Sequence, residues 1–519
     1  MSIRLRFLSS FVLVVLALVS FHPAFSQEWD SPTTENLRVF PFDLVDQEAY
    51  GFELSIAGPV CVVGATGTNQ TSDGAAYVVR YNRQLDDWQE EQRLTVVNTA
   101  SYSGNFGRSV ATDGERILVG STSDDDGEGA VFFFDYDEDA SEWTEIQKLE
   151  ALDAGDDDRF GTSVAIDGDT AVIGAFLSND DGNARNGAAY VFAFDHDTAA
   201  WTEVQKLTAS DAASEDFFGI SLAISDGRIL ISAYNADVVA EDSGAAYVYE
   251  FDPVTGEWIE TQKLVPLDGA ANDNFGVAVD LHGDVAVVGS SGDDDLGVNS
   301  GSVYVFRYDS ALEEWVQEQK LTNSDGGPYN SFGRRAQVNG SCILASANGH
   351  ELNRGAAYLF QYDSANEVWL EAEKLTASDE AIGDRLGLGL AFSGDIAVLG
   401  SPYDITNSVD PVESGSIVFY RLAGPFIRGD VDGDGEVGTL TDSLYLIAWG
   451  FIGSDPPPCS DAADVNDDGQ LSPLLDAIDL LTWGLLDGLP PPAPGPNECG
   501  FDPTDDSLDC ETPADEFCA

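Results

Sequence analysis

Phe160-Gly-Thr-Ser-Val-Ala-Ile-Asp-Gly-Asp-Thr-Ala-Val-Ile-Gly-Ala175 holds two short apolar runs about the pair Asp167-Gly168. Gly187-Ala-Ala-Tyr-Val-Phe192, Trp201 and Gln205-Lys-Leu207 follow it. Each run has strand length, and an Asp-Gly pair between two such runs predicts a tight hairpin turn. The same order of signals returns along the chain. Copies are anchored at Tyr50-Gly51, Phe106-Gly107, Phe160-Gly161, Phe218-Gly219, Phe275-Gly276, Phe332-Gly333 and Leu386-Gly387, spaced 56, 54, 58, 57, 57 and 54 residues apart. A period of that size with several short strands per unit marks a radial or linear repeat architecture.

Every copy predicts four strands. The first, such as Ser109-Val-Ala-Thr112, ends at Ala57-Gly58, Asp113-Gly114, Asp167-Gly168, Asp226-Gly227, His282-Gly283, Asn339-Gly340 or Ser393-Gly394, each read as a two-residue turn with Gly second. The second strand is apolar, an acidic loop leads to the third, and a short Asp-rich turn leads to a strand headed by Trp. Trp88, Trp143, Trp201, Trp258, Trp315 and Trp369 head six fourth strands, whereas the seventh copy stops at Ser416-Ile-Val-Phe-Tyr-Arg-Leu422. The strand that copy lacks is supplied by Leu37-Arg-Val-Phe-Pro-Phe42 at the other end of the chain. An N-terminal strand that completes the last unit closes a ring and protects its edges; a linear stack has no use for one. The expectation is an all-β seven-bladed β-propeller.

The Phe-Gly pairs and the small-residue strand ends, such as Gly400-Ser401-Pro402, resemble the FG-GAP repeat family, the propeller type of the integrin α-subunit head. The resemblance covers residues 37 to 423 and implies fold more than activity. In an up-and-down blade the long 2–3 and 4–1 connections emerge on one side, so binding is expected there. These loops are acidic: Ser123-Asp-Asp-Asp-Gly127, Ala154-Gly-Asp-Asp-Asp158, Asn179-Asp-Asp-Gly182 and Gly292-Asp-Asp-Asp295. The family's cation loops read Asp-x-Asp-x-Asp-Gly with a further Asp, and none of these has that spacing. They are read as solvated acids rather than Ca²⁺ loops.

With 92 acidic against 23 basic residues the formal net charge is −69. Nucleic acid and anionic membrane surfaces are bound through clustered Lys and Arg, so neither is an expected partner. A hydrophobic content of 43% gives real cores beneath the acid. Residues 1–26 read as a secretory signal: Arg4 and Arg6, the apolar run Phe11 to Val19, and Ala24-Phe25-Ser26 at the cleavage site. No other segment approaches membrane length, so a secreted or cell-surface location is expected, with no membrane span in the mature chain. Cys61 and Cys342 fall in strands of copies one and six and read as buried free thiols. Cys459, Cys499, Cys510 and Cys518 crowd the C-terminus, where three disulfide pairings are open.

The ring occupies residues 27–423, and the texture changes after it. Within 424–495 two segments repeat at 34 residues, Asp430-Val-Asp-Gly-Asp-Gly-Glu436 and Asp464-Val-Asn-Asp-Asp-Gly-Gln470, each running into an apolar helical stretch. Oxygen ligands at loop positions 1, 3 and 5, a Gly at 6 and the carbonyl of 7 converge on one Ca²⁺. The candidate ligands are Asp430, Asp432, Asp434, Glu436 and Asp442 in the first EF-hand-like loop, and Asp464, Asn466, Asp468, Gln470 and Asp476 in the second. The duplication resembles a dockerin domain, which implies Ca²⁺ as structural cofactor and a cohesin-like partner. The pattern departs in one respect: the closing acid stands at position 13, as Asp442 and Asp476, where position 12 is expected. Trp449 and Trp483 read as packing residues of the small helical module, and Arg428-Gly429-Asp430 as a coincidence. Residues 496–519 form an acidic Cys-containing tail.

Of the four His, at 22, 196, 282 and 350, none clusters with Cys or acids at metal spacing. No Gly-x-Ser-x-Gly, phosphate loop or zinc helix motif is present, and catalysis is not expected. The reading is an exported binding or adhesion protein. The alternative is a component of extracellular polysaccharide degradation, glycan-binding or hydrolytic.

Overall fold

A computed structural model describes residues 37–422, apart from 43–48, 67–73, 83–86, 97–103, 138–139, 180–183, 197, 364–365, 379–380, 395 and 406–413. The expected secretory signal at 1–26, the expected Ca²⁺-loop module at 424–495 and the four C-terminal cysteines lie outside the described residues.

Seven four-stranded antiparallel sheets stand in a ring. Blade 3 is typical: Val164–Asp167, Thr170–Ala175, Ala188–Asp195 and Ala200–Leu207 pair in sequence order. Blade 7 takes Gly389–Ser393, Ile396–Ser401 and Ser416–Arg421 from the end of the ring and Leu37–Val39 from its beginning. Leu37 faces Phe419 and Val39 faces Ile417 across that ladder. The closing strand is shorter than the apolar run suggested. Proline has no N–H to give a ladder, and pairing ends at Val39, two residues before Pro41.

Second strands such as Val60–Ala65 are buried at every residue because neighbouring blades cover both faces. Outer strands such as Glu257–Leu264 alternate, with Trp258 and Leu264 inward. The hydrophobic core is divided among the seven blade junctions. One cluster joins Val172, Val191 and Leu207 of blade 3 to Ile229, Tyr247 and Trp258 of blade 4. Another joins Val63 and Tyr77 of blade 1 to Val398 and Phe419 of blade 7, where the Trp88 ring stacks on Phe419 at 4.5 Å. Each core needs two blades, so stability depends on closure.

The Phe-Gly pair has a steric reason. A Cβ on Gly174 would lie 2.0 Å from the Gly219 carbonyl oxygen of the next blade, and one on Gly120 would lie 2.2 Å from that of Gly161. The glycine after Phe takes positive φ, +86° at Gly161 and +90° at Gly219, and points its carbonyl at the glycine of the preceding blade. A Gly-to-Phe bridge then ties consecutive blades, from Gly187 to Phe218 and, across the closure, from Gly415 to Tyr50.

The hairpin turns differ from the sequence expectation. Val60, Thr170, Val285, Cys342 and Ile396 pair with the residue before Gly58, Gly168, Gly283, Gly340 and Gly394. Gly is therefore first of the two turn residues in these five blades, with φ of +52° to +56°, as type II′ requires. Asp226-Gly227 has Gly second, with positive φ at both residues, whereas Asp113-Gly114 is no two-residue turn: Thr112 pairs with Ile117, and four residues connect the strands. Strand register, invisible in the local sequence, decides between the two.

Candidate functional site

The outer rim is held by a repeated amide clip. The Gln205 side chain donates to the Trp258 carbonyl at 2.8 Å and accepts from the Trp258 N–H at 2.7 Å. Gln92, Gln147, Gln262 and Gln319 do the same to Trp143, Trp201, Trp315 and Trp369. A second device anchors the 4–1 loops. Lys206 and the Tyr190 hydroxyl converge on Asp153 at 2.6 and 2.8 Å, and Lys263 with Tyr247 holds Asp211 in the same way. Against the cost of partial burial, Lys and Tyr hold both carboxyls below their ordinary pKa.

The acidic 2–3 loops have internal cations. In blade 2, Lys148 lies 2.5, 2.9 and 2.6 Å from carboxylate oxygens of Asp124, Asp125 and Glu150, which form a cluster compact enough for an ion. Burial opposes the charge, but the three carboxylates keep the ammonium well above its usual pKa. Lys320 serves Asp268, Asp293 and Asp295 in blade 5. Among the described residues these acids are engaged by lysine.

The 2–3 and 4–1 connections meet on one side: Leu177 N bonds Asp158 O, Phe217 N bonds Arg185 O, and Ser331 N bonds Asn299 O. They surround the mouth of a central cavity of about 730 Å³ whose walls are the seven first strands. At the residue after Phe-Gly the copies read Phe52, Arg108, Thr162, Ile220, Val277, Arg334 and Leu388. One residue further they read Glu53, Ser109, Ser163, Ser221, Ala278, Arg335 and Gly389. Three arginines and one glutamate thus gather at this mouth. Arg335 is paired with Glu53 at 2.5 Å and donates to the Leu388 carbonyl at 3.1 Å. Arg108 lies 5.0 Å from the centre of the Phe52 ring.

Desolvation and the other two guanidiniums push Arg334 down to about 10. Burial, and then Arg335, lower Arg108 against the pull of Glu53. Deeper in the channel, burial raises the Asp280 carboxyl to about 7, although it accepts from the Val338 N–H at 2.8 Å. The sequence signal for these residues is departure from the small or apolar residue that most copies carry at the same position.

The FG-GAP repeat pattern matches residues 88–134, 143–192, 201–249, 258–306, 315–360 and 369–417, more than half of the chain. The chain belongs to the FG-GAP repeat family. Each matched segment starts at a Trp in one blade and ends in the third strand of the next, so the family unit straddles a junction. Tyr50–Asn82, the first three strands of blade 1, lie outside the matches. No curated protein matches the chain. A solved structure from Bacteroides uniformis, provisionally assigned as a 6-phosphogluconolactonase, is 14% identical and covers 69% of this chain and 99% of its own, at a TM-score of 0.45. Cys61 and Cys342 are free and buried, as their strand positions implied. The ten predicted Ca²⁺ ligands, Asp430 to Asp476, lie outside the described residues.

Proposed function

We propose an exported, non-catalytic binding or adhesion protein. Its ring presents a ligand-binding loop face, and its C-terminal module, loaded with Ca²⁺, docks it to a cohesin-like or other cell-surface protein. The observation that carries the ring's part is a division within the repeats. Positions that pack blade against blade are nearly alike in every copy, whereas positions at the loop-side mouth differ from copy to copy. A scaffold has no need of that variety, and loops on a rigid frame are where binding residues collect. The same face carries exposed apolar side chains, among them Val239, Leu296, Tyr329 and Leu352.

The duplicated Asp-rich loops support the docking part. They also favour the second reading, a glycan-binding or hydrolytic role in extracellular polysaccharide degradation. The test immobilises the full chain and captures partners from secreted and envelope fractions, in Ca²⁺ and in chelator. It runs beside an Asp430→Ala/Asp464→Ala variant and a Tyr329→Asp/Leu352→Asp variant. Docking predicts one set of partners lost in chelator and in the first variant; loop-face binding predicts another set lost only in the second. Identical capture in every arm overturns both, and release of sugar from polysaccharide replaces the non-catalytic reading with a hydrolytic one.

A further inference from the structure

Among the described residues, the Arg108 and Arg334 guanidiniums have no hydrogen-bond acceptor in the protein, although both are half-buried. Arg335 is already matched by Glu53, so the mouth keeps an excess of two positive charges inside a chain of net charge −69. Like charges gathered in a cavity destabilise the ring that holds them, and such groups are kept where they serve a ligand. Guanidinium forks match the two oxygens of a carboxylate.

The neighbouring wall is aromatic. Phe176 lies 5.6 Å from Phe217, and Phe217 lies 5.9 Å from Tyr234, ring centre to ring centre. All three are half-buried, and Phe176 and Tyr234 line the cavity. Tyr234 and Arg334 line the same cavity. Phe217 takes φ +59°, as does the residue at the same place in every blade, from Ala49 at +59° to Arg385 at +58°, so its backbone conformation belongs to the repeat. Aromatic faces beside charged forks suit a saturated ring that presents a face of C–H groups and carries one acidic group. The acidic exterior repels polyanions, whereas a single carboxylate feels mainly the mouth once past a screening length of about 8 Å.

We infer that the loop-side mouth of the channel binds a sugar bearing a carboxylate, which Arg108 and Arg334 receive while Phe176, Phe217 and Tyr234 take the face of the ring. The inference rests on the binding reading of the loop face and names its ligand class. The cavity of about 730 Å³ has the size of a small-molecule site.

Calorimetric titration of the full chain with D-glucuronate, D-glucose and acetate tests it. Glucuronate is expected to bind at least tenfold more tightly than either of the others, and less tightly as NaCl is raised. Arg108→Gln/Arg334→Gln is expected to weaken it at least tenfold without lowering Tm, because the substitutions relieve repulsion. Phe176→Ala/Tyr234→Ala is expected to reduce glucuronate toward the affinity of acetate. Glucose binding as well as glucuronate, acetate binding as well as glucuronate, or undiminished binding by the arginine variant would each overturn the inference. So would the absence of any glucuronate binding to the wild-type chain. If capture by the loop face survives that absence and is lost in Tyr329→Asp/Leu352→Asp, the ring remains a binding protein and only the ligand class falls.

Discussion

Removing one amide clip tests how the ring is held shut. Gln262 donates to the Trp315 carbonyl at 2.8 Å and accepts from the Trp315 N–H at 2.6 Å. Gln262→Ala deletes both bonds and leaves two half-buried backbone groups to find water. At roughly 1 kcal/mol net per bond, plus the desolvation left on the orphaned groups, the loss is about 2–4 kcal/mol. Unfolding entropy of about 2.1 cal/mol/K per residue converts this to a fall in Tm of about 3–5 °C for a ring of this size.

Gln262→Glu refines the test. A protonated carboxyl can make both bonds, but a carboxylate cannot donate to the Trp315 carbonyl, so the folded state raises the pKa of the new acid. Its stability relative to wild type is then retained near pH 4 and lost as pH rises through that raised pKa. Calorimetry at pH 4 and pH 7, with hydrogen exchange at the Trp315 amide, reads the outcome. A Tm within 1 °C of wild type for Gln262→Ala, with unchanged exchange, would refute the clip as a stabilising device.

Arg38→Ala should be the most damaging single change at the closure. The Arg38–Asp404 pair, at 2.9 Å, is about nine-tenths buried, and breaking such a pair costs about 3–5 kcal/mol. Exchange should rise first at Leu37–Val39, and protection there equal to wild type would count against it. Asp280→Asn should gain on wild type as pH rises from 4 to 7 and level off above. The raised Asp280 pKa makes the folded wild type bind more protons than the unfolded chain across that window, so wild-type stability falls with rising pH; denaturant titrations should show the variant gaining about 4 kcal/mol on wild type between pH 4 and pH 8. Gly174→Ala places a methyl against the Gly219 carbonyl and should cost about 1–3 kcal/mol by thermal melting, while Gly168→Ala, with nothing within 4 Å, meets only the strain of its positive φ. Cys61 and Cys342 should resist a thiol reagent until the ring unfolds, since burial raises both thiols, Cys342 to about 12.

The blade count, the four strands per blade, closure by an N-terminal strand starting at Leu37 and the burial of Cys61 and Cys342 were all legible in the sequence, whereas the end of that strand at Val39 was not. Those features are local or periodic. An alternating or fully apolar run states its own burial, and a missing Trp strand at one end matched by a spare strand at the other leaves one way to close the ring. The hairpin turns were misread at one residue, because Gly168 is first or second in its turn according to which residue faces Thr170. The acids of Ser123 to Gly127 read as solvated until Lys148 was placed among them, since a lysine in the outer strand gives no hint that the 2–3 loop folds back to it. The channel mouth belongs wholly to tertiary structure. Arg108, Arg334 and Glu53 stand far apart in the chain and look like ordinary strand residues. A ring maps equal repeat positions onto equal heights around one axis, so three departures from the pattern become neighbours only when the seventh blade is closed.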